Sequence, residues 1–253
     1  MKKALLVCAA LLAFAVPSHA SLNLAWANCQ GTVGALPTDV FSCNSTTGDI
    51  HNLYGSFQAL ATQANAVGMD CIVDFNFEGQ ADVPQFWHFE GGGCNSSGVA
   101  LSISRSTSCS GYSTLWGSTG ASATGLITAY GIGVNGANRA RCLLAIARSA
   151  SSPTTLNGPP TNYYAFNLTF SMDNAPPDGA CTCCNTPVDI VWNSCVISSV
   201  AGAQGAGGEA QSQQLTCLDV GSNCCASVNG GGSQCGATAA KAKTWGAVKS
   251  LYR

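Results

Sequence analysis

Apolar and polar residues alternate at period two along several short stretches of this chain, the pattern of half-buried β-strands. The clearest stretch is Asn162 to Met172. Tyr164, Phe166, Leu168, Phe170 and Met172 fall on one face, and Tyr163, Ala165, Asn167, Thr169 and Ser171 on the other. Burying those five large side chains gives a gross gain on the order of 10 kcal/mol. A second stretch, Met69 to Phe77, sets Met69, Cys71, Val73, Phe75 and Phe77 against Asp70, Ile72, Asp74 and Asn76. A third, Arg139 to Arg148, has Cys142, Leu144 and Ile146 on its apolar face. Further strands are expected at Leu22 to Trp26, Val83 to Phe89, Val99 to Ile103, Thr124 to Val134, Val188 to Val200 and Gln213 to Leu218. Turn-forming residues separate them, as in Asn135-Gly136 and Asn157-Gly158-Pro159-Pro160.

No long segment carries a helical period, and no fixed-period repeat points to a solenoid. The expected fold is therefore all-β: a disulfide-stapled antiparallel β-sandwich with a short, helix-compatible C-terminal tail. The composition divides the chain into a leader (1–20), a β-sandwich domain (21–200), a Gly-rich and Cys-rich linker or flap (201–240) and a basic tail (241–253).

The leader reads as a secretory signal peptide. Lys2 and Lys3 precede an apolar run from Ala4 to Val16, and Pro17-Ser18-His19-Ala20 places small residues where a signal peptidase reads. The run is too short for a spanning helix. Val7 before Cys8 is bulkier than a lipidation signal requires, so the mature start is expected at Ser21. Without Lys2 and Lys3 the chain has eight basic against twelve acidic residues, a net charge of −4. That offers no general attraction for nucleic acid or an anionic membrane.

Export changes the meaning of the cysteines. Of 15, only Cys8 lies in the leader, which leaves an even 14 and the expectation of full pairing. Cys71 and Cys142 lie on inward strand faces and are expected to bridge. Cys29–Cys43 and Cys94–Cys109 would close short loops. Cys181, Cys183, Cys184, Cys195, Cys217, Cys224, Cys225 and Cys235 would pair among themselves, with the adjacent Cys224 and Cys225 taking different partners.

Four segments also carry a resemblance. They are Asn138-Arg139-Ala140-Arg141, Asn162-Tyr163-Tyr164-Ala165-Phe166, Cys181-Thr182-Cys183-Cys184 before Pro187-Val188-Asp189-Ile190-Val191, and the terminal Thr244-Trp245-Gly246-Ala247-Val248-Lys249-Ser250-Leu251-Tyr252-Arg253. Together they make the chain resemble a group of secreted bacterial β-sandwich proteins with a TWGxVKxLYR-like tail. The resemblance implies export and a sandwich, and no particular reaction or catalytic residue.

Candidate chemistry is sparse. Cys181 and Cys184 have the spacing of a zinc knuckle, but an oxidising compartment favours disulfides, and no metal or other cofactor is expected. His51 and His88 are the two histidines of the mature chain, and no Gly-x-Ser-x-Gly elbow accompanies them. His51 reads as a turn or loop residue and His88 as a packed strand residue. Asp70, Asp74, Glu78, Asp82 and Glu90 form a loose acidic cluster. Asp70 and Asp74 share a strand face about 13 Å apart at ~3.3 Å per residue, too far for a glycosidase pair. A solvated strand face explains them better.

Trp87, in an aromatic strand, and Tyr112 and Trp116, in a Gly/Ser-rich stretch, are the candidate binding residues, since loop aromatics stack on sugar rings or anchor partners; for any one of them, sealing the ends of the sandwich is the preferred reading. In the tail, Trp245, Val248 and Tyr252 recur at helical spacing among Lys241, Lys243, Lys249 and Arg253, which favours a detachable segment read by export or surface-attachment machinery. The leading expectation is a non-catalytic secreted or cell-envelope protein, periplasmic, surface-bound or extracellular, that binds a glycan or an envelope protein. The alternative is a secreted hydrolase of an extracellular polymer such as a glycan.

Overall fold

The period-two stretches become strands at nearly every place the sequence shows them. The computed structural model describes residues 21–43, 48–105, 107–117, 123–177, 179–200, 212–219, 222–232 and 235. The leader and the basic tail lie outside the described residues. The strands are β1 (Ser21–Trp26), β2 (Thr38–Asp39), β3 (Ile50–Gln58), β4 (Gln63–Phe77), β5 (Val99–Ser102), β6 (Ser113–Thr114) and β7 (Ala123–Ile132). They continue with β8 (Arg139–Arg148), β9 (Thr154–Leu156), β10 (Asn162–Ser171), β11 (Val188–Ser199), β12 (Ser212–Thr216) and β13 (Cys225–Val228). Sheet A has the order β1-β3-β10-β5, with β6 beside β10. Sheet B has the order β2-β13-β11-β4-β8-β7, with β12 beside β11 and β9 beside β4. Pairing is antiparallel except for β10–β6 and β13–β2. The expected all-β, disulfide-stapled sandwich is the fold.

The core lies between the two inner faces. Sheet A contributes Leu22, Leu24, Trp26, Leu53, Phe57, Phe166, Leu168 and Phe170, and sheet B contributes Met69, Val73, Phe75, Phe77, Leu144, Ile146, Ile190 and Trp192, all 2% exposed or less. Phe166 meets Trp192 edge-on at 4.8 Å across the sheets. Space for the Phe166 ring comes from Gly55 opposite it on β3, where an added Cβ would lie 2.5 Å from the ring.

Three expectations about strands need correction. Val83 to Phe89 is not a strand: Pro84 precedes a 3-10 turn at Gln85–Trp87. His51, expected in a loop, lies in β3. The single apolar face of Asn162 to Met172 is broken by a bulge between Tyr164 and Phe166. Ala165 is the extra residue, so Tyr163, opposite Phe57, shares the face of Phe166, while Tyr164, opposite Ser56, turns outward. The strand expected at Gln213 to Leu218 is present as β12, and β12 and β13 both pair with β11 in sheet B.

Three of the disulfides connect far more distant parts than local loop closure suggested. Cys29 pairs with Cys109, Cys43 with Cys184, Cys94 with Cys181, Cys217 with Cys224, and Cys225 with Cys235. The adjacent Cys224 and Cys225 do take different partners. Cys71, Cys142, Cys183 and Cys195 are unbridged. Cys71 and Cys142 do not face each other: Cys71 is opposite Leu144, and Cys142 is opposite Val73.

The two sheets are also linked by charge. Asp39 on β2 of sheet B accepts from His51 Nδ1 on β3 of sheet A at 2.8 Å. The His51 ring lies against Phe41, centroids 4.2 Å apart. Partial burial pushes the Asp39 carboxyl up, but the His51 hydrogen bond, the Val40 N–H and the His51 charge together outweigh it and hold the group below the usual carboxylate range.

Two outcomes follow. Gly55→Ala drives a methyl into the Phe166 ring and should cost about 1–3 kcal/mol in urea unfolding; an unchanged midpoint would contradict the packing. A carboxyl depressed in the folded state adds stability above its unfolded value and loses it as pH falls through the folded value. The Asp39 contribution should therefore fade on acidification from about 3.8 downward. Asp39→Asn should flatten that part of the melting-temperature profile, and a profile parallel to the wild type would exclude the link.

Candidate functional site

Alternation on the strands of sheet B leaves one whole face pointing away from the core. Rows across this face follow from the register. Val191, Asp74, Arg141 and Gly131 form one row; Ser194, Ile72, Leu143 and Ala129 form the next; Val196, Asp70, Ala145 and Leu126 form a third. The described residues include no α-helix to cover it. Leu143 is 37% and Leu126 49% exposed, high values for leucines at the middle of long strands.

At one end this face deepens into a cleft of about 250 Å³ lined by Asp74, Asn76, Arg139 and Asn193, with Val134 and Leu218 among its apolar residues. Its one carboxylate is fully engaged. Arg141 Nε donates to Asp74 Oδ1 at 2.6 Å and Nη2 to Oδ2 at 2.9 Å, the paired geometry that suits guanidinium to carboxylate. Asn193 Nδ2 donates to Oδ2 at 2.8 Å. The hydrogen bond to Asp74 pushes the Arg141 guanidinium up. Asn193 reaches this position because it is the extra residue of a bulge between Trp192 and Ser194. The arrangement presents fixed amides, a neutralised ion pair and, at Arg139, an exposed cation. Of the acidic cluster in the sequence, Asp74 alone lines this cleft, and Asp70 is exposed four residues away along the same face.

A second opening, about 440 Å³, lies between the edge strands β5 and β7 and is lined by Phe89, Glu90, Val99, Ile127 and Tyr130 among others. Glu90 Oε1 accepts from His88 Nδ1 at 2.7 Å, and His88 Nε2 faces the Val83 carbonyl at 3.0 Å. Burial pushes the Tyr130 phenol well up, and its hydroxyl donates to the Trp87 carbonyl at 2.9 Å. Among the described residues neither His51 nor His88 hydrogen-bonds a serine hydroxyl.

The aromatic candidates are placed elsewhere. Trp87 is fully buried, surrounded by Phe41, Phe75, Phe77, Phe86, Phe89 and Phe170 at 5.5–6.1 Å between centroids. Trp116 is also fully buried, and its Nε1 donates to the Ala165 carbonyl at 2.6 Å. Neither offers a ring face to a ligand: Trp87 ends the 3-10 turn Gln85–Trp87, Trp116 follows β6, and both are buried in the core. Tyr112 is half-buried over the outer side of sheet A, where its hydroxyl donates to the Gln30 carbonyl and lies beside Ser56. The structure does not bring the three together as one platform.

The knuckle-like Cys181 and Cys184 are both consumed in bridges, to Cys94 and Cys43. One further group has metal-ligand chemistry: Asp189 Oδ1 lies 3.8 Å from Cys235 Sγ, and Cys225 is adjacent. Cys225 and Cys235 are joined to each other, so their sulfurs are not thiolates.

Sequence reasoning missed the bare face because it depends on register. Leu143 is an isolated outward apolar residue in β8, and only its alignment with Ile72 makes it part of a surface.

No family model and no curated protein matches this chain. Among solved structures, a similarity is found to the second type II cohesin module of the cellulosomal adaptor scaffoldin ScaA of Acetivibrio cellulolyticus, with 9% identity, 79% of this chain and 87% of that chain covered, and a TM-score of 0.30.

Proposed function

We propose that this chain is an exported, non-catalytic binding module that docks an extracellular or envelope protein on the outer face of sheet B. The observation that carries the reading is the difference between the two outer faces. The outer side of sheet A is covered by Ser104, Ser108, Cys109 and Tyr112, while the outer side of sheet B exposes Leu126 and Leu143 beside an engaged ion pair. A contiguous apolar strip with a polar rim fits a protein interface better than a solvated strand face.

Two features favour a protein over a glycan. Trp26, Trp87, Trp116 and Trp192 are all fully buried, so none can stack on a sugar. The rows of Ile72, Leu143 and Leu126 instead form a flat surface for apolar side chains. The hydrolase reading needs two carboxyl groups flanking one bond. The cleft offers Asp74, already bound by Arg141 and Asn193.

The experiment places a photo-crosslinking residue at Leu143 or at the remote, exposed Ser151 in the exported protein. A discrete adduct to one protein should form from position 143 and not from 151. Leu143→Asp should then weaken binding of that partner about 30-fold, the effect of a central interface residue, with little change in melting temperature. Hydrolysis of a glycan polymer that Asp74→Asn abolishes would overturn the proposal in favour of the secreted hydrolase.

A further inference from the structure

The unbridged cysteines are not equivalent. Cys183 is exposed in a loop, and Cys142 is buried opposite Val73. Cys71 on β4 and Cys195 on β11 stand directly opposite each other in the antiparallel register, both buried and both on the inward face. Directly opposed residues in such a pair have Cα atoms about 4.5–5.5 Å apart. That range lies inside the ~4.4–6.8 Å that a disulfide spans. The two thiols also interact: burial, and then the Cys195 thiol, push the Cys71 thiol well up.

We propose that Cys71 and Cys195 form a sixth disulfide in the exported protein, a cross-strand bridge between adjacent inner strands of sheet B. The bond formed is Sγ–Sγ. Two S–H bonds break, and the two electrons and two protons pass to an incoming disulfide of a thiol-oxidising carrier, which leaves as a dithiol. Exchange runs through a thiolate that must reach the carrier. In the closed sandwich both sulfurs are buried, so the bridge is made while sheet B is still open.

The position gives the bridge a purpose. It lies beside the bulge between Trp192 and Ser194, the point where β11 changes register against β4. A slip of one residue would turn Cys195 and Ile197 outward and Val196 inward. A covalent link one pair beyond the bulge excludes that slip.

Protein recovered from the exported fraction, its start at Ser21 confirmed by mass, is unfolded in guanidinium with N-ethylmaleimide and no reductant. Two adducts are expected, at Cys142 and Cys183, with a digest peptide linking Cys71 to Cys195. Four adducts, one on each unbridged cysteine, would overturn the proposal. So would a link from Cys71 to Cys142. Cys195→Val supplies a sign test. If the bridge exists, removing this cysteine raises the count from two to three; if it does not, the count falls from four to three. Both counts are read on unfolded chains, so they do not depend on the stability of the variant.

Discussion

Two sheets have four faces, and a chain with no α-helix among its described residues has little with which to cover them. Packing the sheets on each other buries two, and that burial supplies the main driving force for folding. The third, the outer side of sheet A, carries Ala25, Tyr54, Ser56 and Tyr164, all 4% exposed or less. They are covered by chain that returns across the sheet. Tyr164 donates to the carbonyls of Ser102 and Ser104, and Tyr54 donates to Ser108. Irregular backbone laid over a sheet gains few ladder hydrogen bonds, and here the Cys29–Cys109 bridge fixes it to the loop after β1. Among the described residues the fourth face has no such cover, and it is the face on which the proposed partner would dock.

The same economy explains where the other long-range bridges fall. Cys43–Cys184 and Cys94–Cys181 draw two loops onto the Cys181-Thr182-Cys183-Cys184 turn. Phe86 N–H also donates to the Thr182 carbonyl at 3.0 Å. These links enclose Trp87, which packs against rings from both sheets, Phe170 from sheet A and Phe75 from sheet B. Each bridge joins residues more than eighty positions apart, where restricting the unfolded chain gives its largest effect, about 4 kcal/mol or more before strain. The loops thus serve as the layer that helices form in other folds.

The sequence made the strands legible where alternation is clean. The Met69 to Phe77 part of β4 and the Arg139 to Ala147 part of β8 were readable residue by residue, because their inward positions are apolar and their outward ones mostly polar or small, with Ile72 and Leu143 as the exceptions. β3 was not, since Gly55 occupies an inward position and Tyr54, on the outer side, is buried as well. Both departures come from tertiary contacts: the Phe166 ring needs the space at Gly55, and the returning loop covers Tyr54. The bulge at Ala165 is equally silent in the sequence. Disulfide partners were illegible for the same reason, since local spacing says nothing about which loops meet at the end of a sandwich. Trp87, in an expected strand, and Trp116, in a Gly/Ser-rich stretch, are candidates for binding on the sequence, but for each taken singly sealing the sandwich is the preferred reading, and both are buried. The Asp74–Arg141 pair required the β4–β8 register.

Among the described residues cover is asymmetric, with one outer face stapled shut and the other bare. Hydroxyl-radical footprinting read by mass spectrometry tests it directly on the oxidised protein. Leu126 and Leu143 should label readily, while Tyr54 and Tyr164 should stay protected until the disulfides are reduced. Rapid labelling of Tyr54 and Tyr164 in the oxidised protein, with Leu143 protected, would place the bare face on the wrong sheet.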